Sequence, residues 1–156
     1  MFNIVLYEPE IPPNTGNIIR LCANTGCHLH LIHPLGFSLE DRQLKRAGLD
    51  YGEIIRISEY ESLDEYIDKK RPPVSYAVST KGKSNYADIQ YLPGITLVFG
   101  PETRGLPDDI LAKFNKRSIL RIPMVEGSRS LNLANAVAVI VYEGLRQNQF
   151  NFCKKP

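Results

Sequence analysis

The sequence predicts an α/β fold: a mostly parallel sheet with helices on both faces. Short apolar runs alternate with capped, helix-length segments along the chain, the pattern of repeated strand–helix–strand units. Three polar, glycine-bearing segments follow apolar runs, as ligand-binding loops do at the carboxyl ends of strands in open α/β sheets. The 156 residues, 43% hydrophobic and 23% charged, suit one soluble domain with a sizeable core, and repeats, low-complexity tracts and long linkers are absent.

The first strand runs from Phe2 to Tyr7 and is ended by Glu8-Pro9. Pro12-Pro13-Asn14 opens a helix, with Asn14 as N-cap and Gly26 as the C′ residue. Leu29 to Ile32 is the second strand. Ser38-Leu39-Glu40-Asp41 has the form of a capping box, and Gly48 closes the helix it starts. Ile54 to Ile57 is a third, short strand. Ser62-Leu63-Asp64-Glu65 repeats the capping pattern before a helix stopped by Pro72-Pro73. Ser75 to Ser79, Ile95 to Phe99 and Ser118 to Ile122 complete the strands. Pro107, at a first helical position ahead of Asp108-Asp109, starts the helix between the last two.

The final element is ambiguous by composition, because Ala136 to Val141 is rich in β-branched residues. The pattern nevertheless runs on for more than ten residues past Asn132 without a turn signal, so length decides for helix. It is apolar nearly all round, whereas a surface helix shows one stripe and one polar face. Burial on two sides is expected, the second against another copy of the chain in a homodimer.

Net charge is +2 and the pI about 8.4, too mild by itself to establish a nucleic-acid partner. Small basic clusters stand at Arg42/Lys45/Arg46, Lys69-Lys70-Arg71, Lys81/Lys83, Lys113/Lys116/Arg117 and Lys154-Lys155, each alone reading as a solvated face. The three cysteines, Cys22, Cys27 and Cys153, follow no disulfide or zinc spacing, which suits a reducing compartment. The start carries no basic segment followed by an apolar one, and no run approaches a membrane span. The expectation is a soluble cytoplasmic protein with no membrane association.

Cys27-His28-x-His30-x-x-His33 first suggests a metal site. On a strand, however, His28 and His30 share one face and His33 the other, with no carboxylate close in sequence; a half-exposed strand edge explains the cluster better, and no metal is expected. Asn14-x-Gly16-Asn17-x-x-Arg20 is more specific: Gly16, Asn17 and Arg20 fall on one helical face, and a helix start plus a guanidinium one turn in suits a phosphate or carboxylate. In Gly100-Pro101-Glu102-Thr103-Arg104-Gly105 two glycines flank a carboxylate after a buried strand; Gly100 would let a flat ligand approach, and Glu102 would accept a hydrogen bond or fix the loop. Ile122-Pro123-Met124 leads through Gly127, Ser128 and Ser130-Leu131-Asn132 into the last helix. Three such loops suggest one composite site. The P-loop and the G-x-G-x-x-G fingerprint are missing, and the histidines lie too close together in sequence for a Ser-His-Asp arrangement.

Taken together, Asn14-x-Gly16-Asn17-x-x-Arg20, Gly100-x-Glu102-x-x-Gly105 and Ile122-Pro123-Met124…Ser130-Leu131-Asn132 resemble the three motifs of SPOUT-class RNA ribose 2′-O-methyltransferases. Arg46-Ala47-Gly48-Leu49-Asp50-Tyr51 is similar to the minimal tRNA (cytidine/uridine-2′-O) wobble-position subfamily. The resemblance covers Met1 to Gln147 and implies a C-terminal deep trefoil knot and an obligate homodimer with Tyr142 at its interface; the chain reads as one domain over 1–156, with 151–156 a flexible tail that has no family reading. The resemblance implies S-adenosylmethionine held by Val78, Gly100, Glu102, Gly105, Ile122, Met124, Ser130 and Leu131, largely through backbone groups. Arg20 takes the central catalytic role in this likeness, with Asn17, Asn132 and Ser128 shaping the site. The substrate implied is the anticodon stem-loop of tRNA, contacted through Arg46, Lys81, Lys83 or Arg129. Its alternatives are a ribosomal RNA 2′-O-methyltransferase and a non-catalytic knotted nucleotide- or RNA-binding module.

Overall fold

The computed structural model describes residues 1–38 and 57–151. Its elements are β1 (Asn3–Tyr7), α1 (Pro12–Thr25), β2 (His28–Ile32), β3 (Ile57–Tyr60), α2 (Leu63–Lys70), β4 (Ser75–Val78), β5 (Ser84–Asn85), β6 (Thr96–Phe99), α3 (Asp108–Leu111), β7 (Ile119–Arg121) and α4 (Leu133–Gln147). The seven strands form one sheet in the order β3-β2-β1-β6-β4-β7-β5, every neighbouring pair parallel. From β1 the chain steps outward to β2 and β3, then returns to build the other half. The order of strand addition reverses beside β1, where such folds open a crevice at the strands' carboxyl ends.

Successive strand residues point to opposite faces, and the core divides accordingly. Ile4, Leu6, Leu29, Leu31 and Leu97 pack with Ile18, Ile19 and Cys22 of α1 and Val137, Ile140, Val141 and Leu145 of α4. Val5, Ile32, Ala77 and Val98 point the other way, onto Leu63 and Tyr66 of α2 and Ile110 and Leu111 of α3. Helices therefore cover both faces, as a parallel sheet with apolar residues on both sides requires. Leu97, fully buried in the middle of this arrangement, would cost about 2–5 kcal/mol on truncation to alanine.

Several local expectations hold. Gly26 caps α1 in the left-handed conformation, at φ 69°. Asn132, not read as a cap from the sequence, caps α4, its side-chain oxygen accepting from the backbone N–H of Ala134 and Asn135 at 2.9 and 3.3 Å. The last segment is a helix, as its length required.

Others are corrected. The N-cap of α1 is Ile11, not Asn14, which lies inside the first turn with its side chain engaged elsewhere. Pro107 is the N-cap of α3 rather than its first helical residue. Ser62 caps α2 by accepting from Glu65 N–H, but the Glu65 carboxylate reaches back to Glu61 N–H, one residue earlier than in a capping box. The short strand expected over 54–57 is seen from Ile57 to Tyr60; its preceding residues, the Ser38–Asp41 box beyond Ser38 and Arg46 lie outside the described residues. The two-residue β5 was not foreseen.

The histidines also differ from expectation. β2 is an interior strand, paired with β1 and β3. His28 is exposed at its start, whereas His30 is buried against the rings of Tyr60 and Tyr66. Its Nε2 lies 3.2 Å from Asn3 Oδ1, and its Nδ1 is 3.4 Å from the Tyr60 hydroxyl, which donates when the ring is neutral. Burial pushes the His30 pKa down to about 4. His30 is thus a neutral, hydrogen-bonded core residue. Among the described residues no group of three or more His, Cys, Asp or Glu side chains is placed to hold a metal ion.

Candidate functional site

A parallel sheet brings all its strand ends to one edge, so loops distant in sequence meet there. Those after β1, β4, β6 and β7 enclose a cavity of about 400 Å³, within the range of small-ligand sites. Val78, Gly100, Glu102, Gly105, Ile122, Met124, Ser130 and Leu131 all line it, as do Lys81 and Asn132. The three glycine-bearing segments therefore contribute to one site, although the first does so through Asn14 alone.

Asn14 explains how they are joined. Asn132 Nδ2 donates to Asn14 Oδ1 at 2.8 Å, and Asn14 Nδ2 donates to Glu102 Oε1 at 3.1 Å. The Glu102 carboxylate also accepts from the backbone N–H of Glu10 at 2.8 Å and of Ile11 at 3.2 Å. In return the Glu10 carboxylate accepts from the Thr103 N–H at 3.2 Å and the Thr103 hydroxyl at 2.6 Å. The Thr103 hydroxyl, assisted by its N–H and by Arg104, holds the Glu10 carboxyl below the usual carboxylate range against the opposing effect of burial. Arg104 adds ion pairs to Glu8 and Glu10. Each segment thus satisfies the other's backbone donors, and buried or half-buried donors left without partners would cost about 1–3 kcal/mol each.

Glycine at position 100 is required by close packing within this loop. A Cβ there would lie 2.2 Å from Leu106 N and 2.4 Å from the Gly105 carbonyl carbon. The space expected for a ligand is filled by the loop's own backbone. Gly105 supplies the turn at φ 68°, closed by its N–H donating to Pro101 O at 2.9 Å.

The cavity wall combines Val78, Phe99, Leu106, Ile122, Met124 and Leu131 with loop backbone. Its one carboxylate, Glu102, is engaged as described, and its cations Lys81 and Arg104 are paired with Asp108 and with Glu8 and Glu10. Such a site binds and orients a partly apolar ligand rather than acting as an acid–base dyad. Glu102 and Asn132 line the wall, yet their polar atoms serve chiefly to close it.

Arg20 and Asn17 do not line the cavity; both stand exposed on α1, one turn apart. Gly16, expected on the same face, is buried. Ser128 and Arg129 are exposed on the loop after β7, outside the lining, and Tyr142 is half-exposed on α4. Sequence reasoning assigned Asn14 a local capping role, and its bridge between two distant loops had no local signal. Thr80, Thr103, Arg104 and Leu106 also line the cavity without having been singled out.

Comparison with known proteins places these features. The model of the SpoU rRNA Methylase family matches residues 1–142. The tRNA (cytidine(34)-2′-O)-methyltransferase of Saccharophagus degradans is 57% identical over 150 residues, 96% of this chain and 97% of that one. A solved structure described by 2-OH methylation of C/U34 on tRNA superposes with a TM-score of 0.90 at 43% identity, covering 97% of this chain and 98% of that one. An AdoMet-bound rRNA methyltransferase from Sinorhizobium meliloti gives a TM-score of 0.81 at 25% identity, covering 93% of this chain and 56% of that one.

Proposed function

The chain belongs to the SpoU rRNA methylase family, and from that membership we propose that it transfers a methyl group from S-adenosylmethionine to the ribose 2′-hydroxyl of the wobble nucleotide of tRNA, cytidine or a modified uridine at position 34. The observation that carries this reading is the convergence of the three motif segments on one cavity tied together through Asn14. The substrate follows the near full-length relatives, which are named for cytidine 34 of tRNA.

The residues present fit the methyl donor. The cavity has an apolar wall for a flat base and sugar, and loop backbone groups for their polar edges. Val78, Gly100, Gly105, Ile122, Met124, Ser130 and Leu131 hold the donor, while Glu102 and Asn132 fix the loops that do so. S-adenosylmethionine, when bound, supplies a methyl group on a positively charged sulfur, which is already electrophilic.

The protein's task is alignment of the attacking oxygen and help with its proton. Arg20, assisted by Asn17, presents the RNA by holding a phosphate beside the target ribose. A guanidinium keeps its charge at ordinary pH, so Arg20 chiefly orients, and the hydroxyl proton passes to that phosphate, to water or to an uncharged Arg20.

The C-terminal part closes into a trefoil knot and the enzyme works in the cytoplasm as a homodimer. The apolar face of α4 left open supports the dimer: Val139 and Tyr142 are 39% and 50% exposed there, a position where a second copy would cover them. Arg129 contacts RNA from the loop after β7, and Lys81 and Arg46 are further contacts, Arg46 lying outside the described residues.

Incorporation of labelled methyl groups into purified tRNA and rRNA tests the reading. Label mapping to the first anticodon nucleotide is the expected result. Label in rRNA alone would favour the alternative substrate, and none in either despite donor binding would favour a non-catalytic module.

A further inference from the structure

A second groove, of about 280 Å³, adjoins the cavity and shares Met124 with it. Its other lining residues are Lys83, Ser84, Asn85, Arg121 and Pro123. Strand β5 is the outermost of the sheet, pairing only with β7 in the register Ser84↔Leu120 and Asn85↔Arg121. This register sets Lys83, just before β5, and Arg121, at the end of β7, on the same short stretch of sheet edge.

The described cations fall into two sets, and Lys70, Arg71, Lys116, Arg117 and Arg129 share with this groove's pair the lack of a carboxylate partner among the described residues. Lys69, Lys81, Arg104, Lys113 and Arg146 each have a carboxylate partner. Lys83 and Arg121 are exposed and have no acidic partner among the described residues. The Ser84 hydroxyl donates to Arg117 O, and Asn85 Oδ1 accepts from Ala87 N–H. What the groove's side chains still offer a ligand is therefore dominated by donors: an ammonium, a guanidinium and the Asn85 amide N–H groups. Pro123 and Met124 form the apolar wall beside them. A ligand matched to this set is anionic and rich in acceptors, with a flat apolar part alongside.

We propose that this groove binds the sugar–phosphate backbone of the RNA strand next to the nucleotide being methylated, with Lys83 and Arg121 on its phosphodiester. The inference rests on the RNA methyltransferase reading above and names where the strand runs once its target ribose is at the cavity. Lys81, paired with Asp108 at 2.6 Å, gives way to Lys83 and Arg121 as the main cationic contact on this side. The other anion within reach would be the carboxylate of the methyl donor, and the measurements separate the two.

The test compares wild type with Lys83→Ser, Arg121→Ser, the double variant and Arg121→Lys, using purified cellular tRNA and S-adenosylmethionine. In the double variant KM for tRNA rises about tenfold or more, and the slope of log tRNA affinity against log salt becomes shallower by about 1–2. Its kcat at saturating tRNA and its calorimetric affinity for S-adenosylmethionine stay within about twofold of wild type, and Arg121→Lys keeps most of the salt slope. Unchanged tRNA KM and salt slope overturn the proposal while leaving wild-type methylation of tRNA intact. Lost affinity for S-adenosylmethionine with unchanged tRNA binding assigns the groove to the donor's carboxylate and overturns it too. Wild type that methylates no tRNA defeats the functional reading instead, and direct tRNA binding with its salt slope still decides the groove.

Discussion

Glu102→Gln isolates what closes the cavity. Glu102 Oε1 accepts from Ile11 N–H and Asn14 Nδ2, and Oε2 accepts from Glu10 N–H at 2.8 Å. A glutamine keeps the shape but must turn an NH2 group toward one of these donors. The cheaper orientation sacrifices the single bond at Oε2. A hydrogen bond to a charged group is worth roughly 1.5–3 kcal/mol, so the loss is about 2 kcal/mol. For a chain of this size, that lowers Tm by about 4–8 °C. The assay is thermal unfolding followed by circular dichroism, with calorimetric titration of S-adenosylmethionine on the same samples. Asn14→Ala removes a partner of the same carboxylate, so Asn14→Ala/Glu102→Gln costs less than the sum of the single changes. An unchanged Tm with donor affinity reduced tenfold would refute the reasoning, because it would make Glu102 a direct ligand rather than the clasp between loops.

Four further outcomes are expected. Arg20→Ala keeps donor affinity within about twofold but lowers methyl transfer at least about a hundredfold, the scale of a lost positioning contact; wild-type turnover would remove Arg20 from the reaction. Gly100→Val places side-chain atoms where Leu106 N and the Gly105 carbonyl carbon stand, so it shifts the loop and abolishes donor binding by calorimetry, and retained affinity would contradict this. His30 is neutral when folded because burial lowers its pKa to about 4; the unfolded ring titrates near 6.5, so its contribution is full above that pH and falls as the pH drops toward 4. Urea titrations should show wild type losing about 2 kcal/mol between pH 7 and 5 through this group, a loss absent from His30→Gln; parallel pH profiles would count against it. Thr15 Oγ1 is fully buried with no hydrogen-bond partner among the described residues, so Thr15→Val raises stability by about 1 kcal/mol, and a fall would reveal a partner.

Much of this architecture was legible in the chain because its signals are local. Alternating apolar runs and capped helices placed β1, β2, β4, β6 and β7 within a residue or two, while β3 ends three residues later than expected, and Gly26 marks the end of α1 by its own chemistry. The cavity-lining positions Val78, Gly100, Ile122 and Ser130 were reached through the family resemblance of the motif segments that follow the strands, not from local composition. Asn14 was misread from its local setting: two residues after Pro12 it looks like a cap, and nothing nearby shows that its side chain bonds across 88 residues to Glu102. The histidine cluster was placed at an edge because strand order is a tertiary property, unreadable from β2 alone. Lys81 read as part of a solvated basic face, and its ion pair was not foreseen because its partner Asp108 lies 27 residues away. β5, two residues long, is too short to carry any periodicity.

The clasp linking Asn14, Glu102 and Asn132 spans 118 residues of sequence, with a consequence for biosynthesis. A nascent polypeptide that has emerged only as far as β6 can pair its central strands, yet it has no third wall to hold a cofactor. Translation at about 5–20 residues per second delivers that wall seconds later. Metabolite present in the cell therefore stabilises only the finished enzyme, by mass action, and leaves the half-made chain to fold or be degraded on its own.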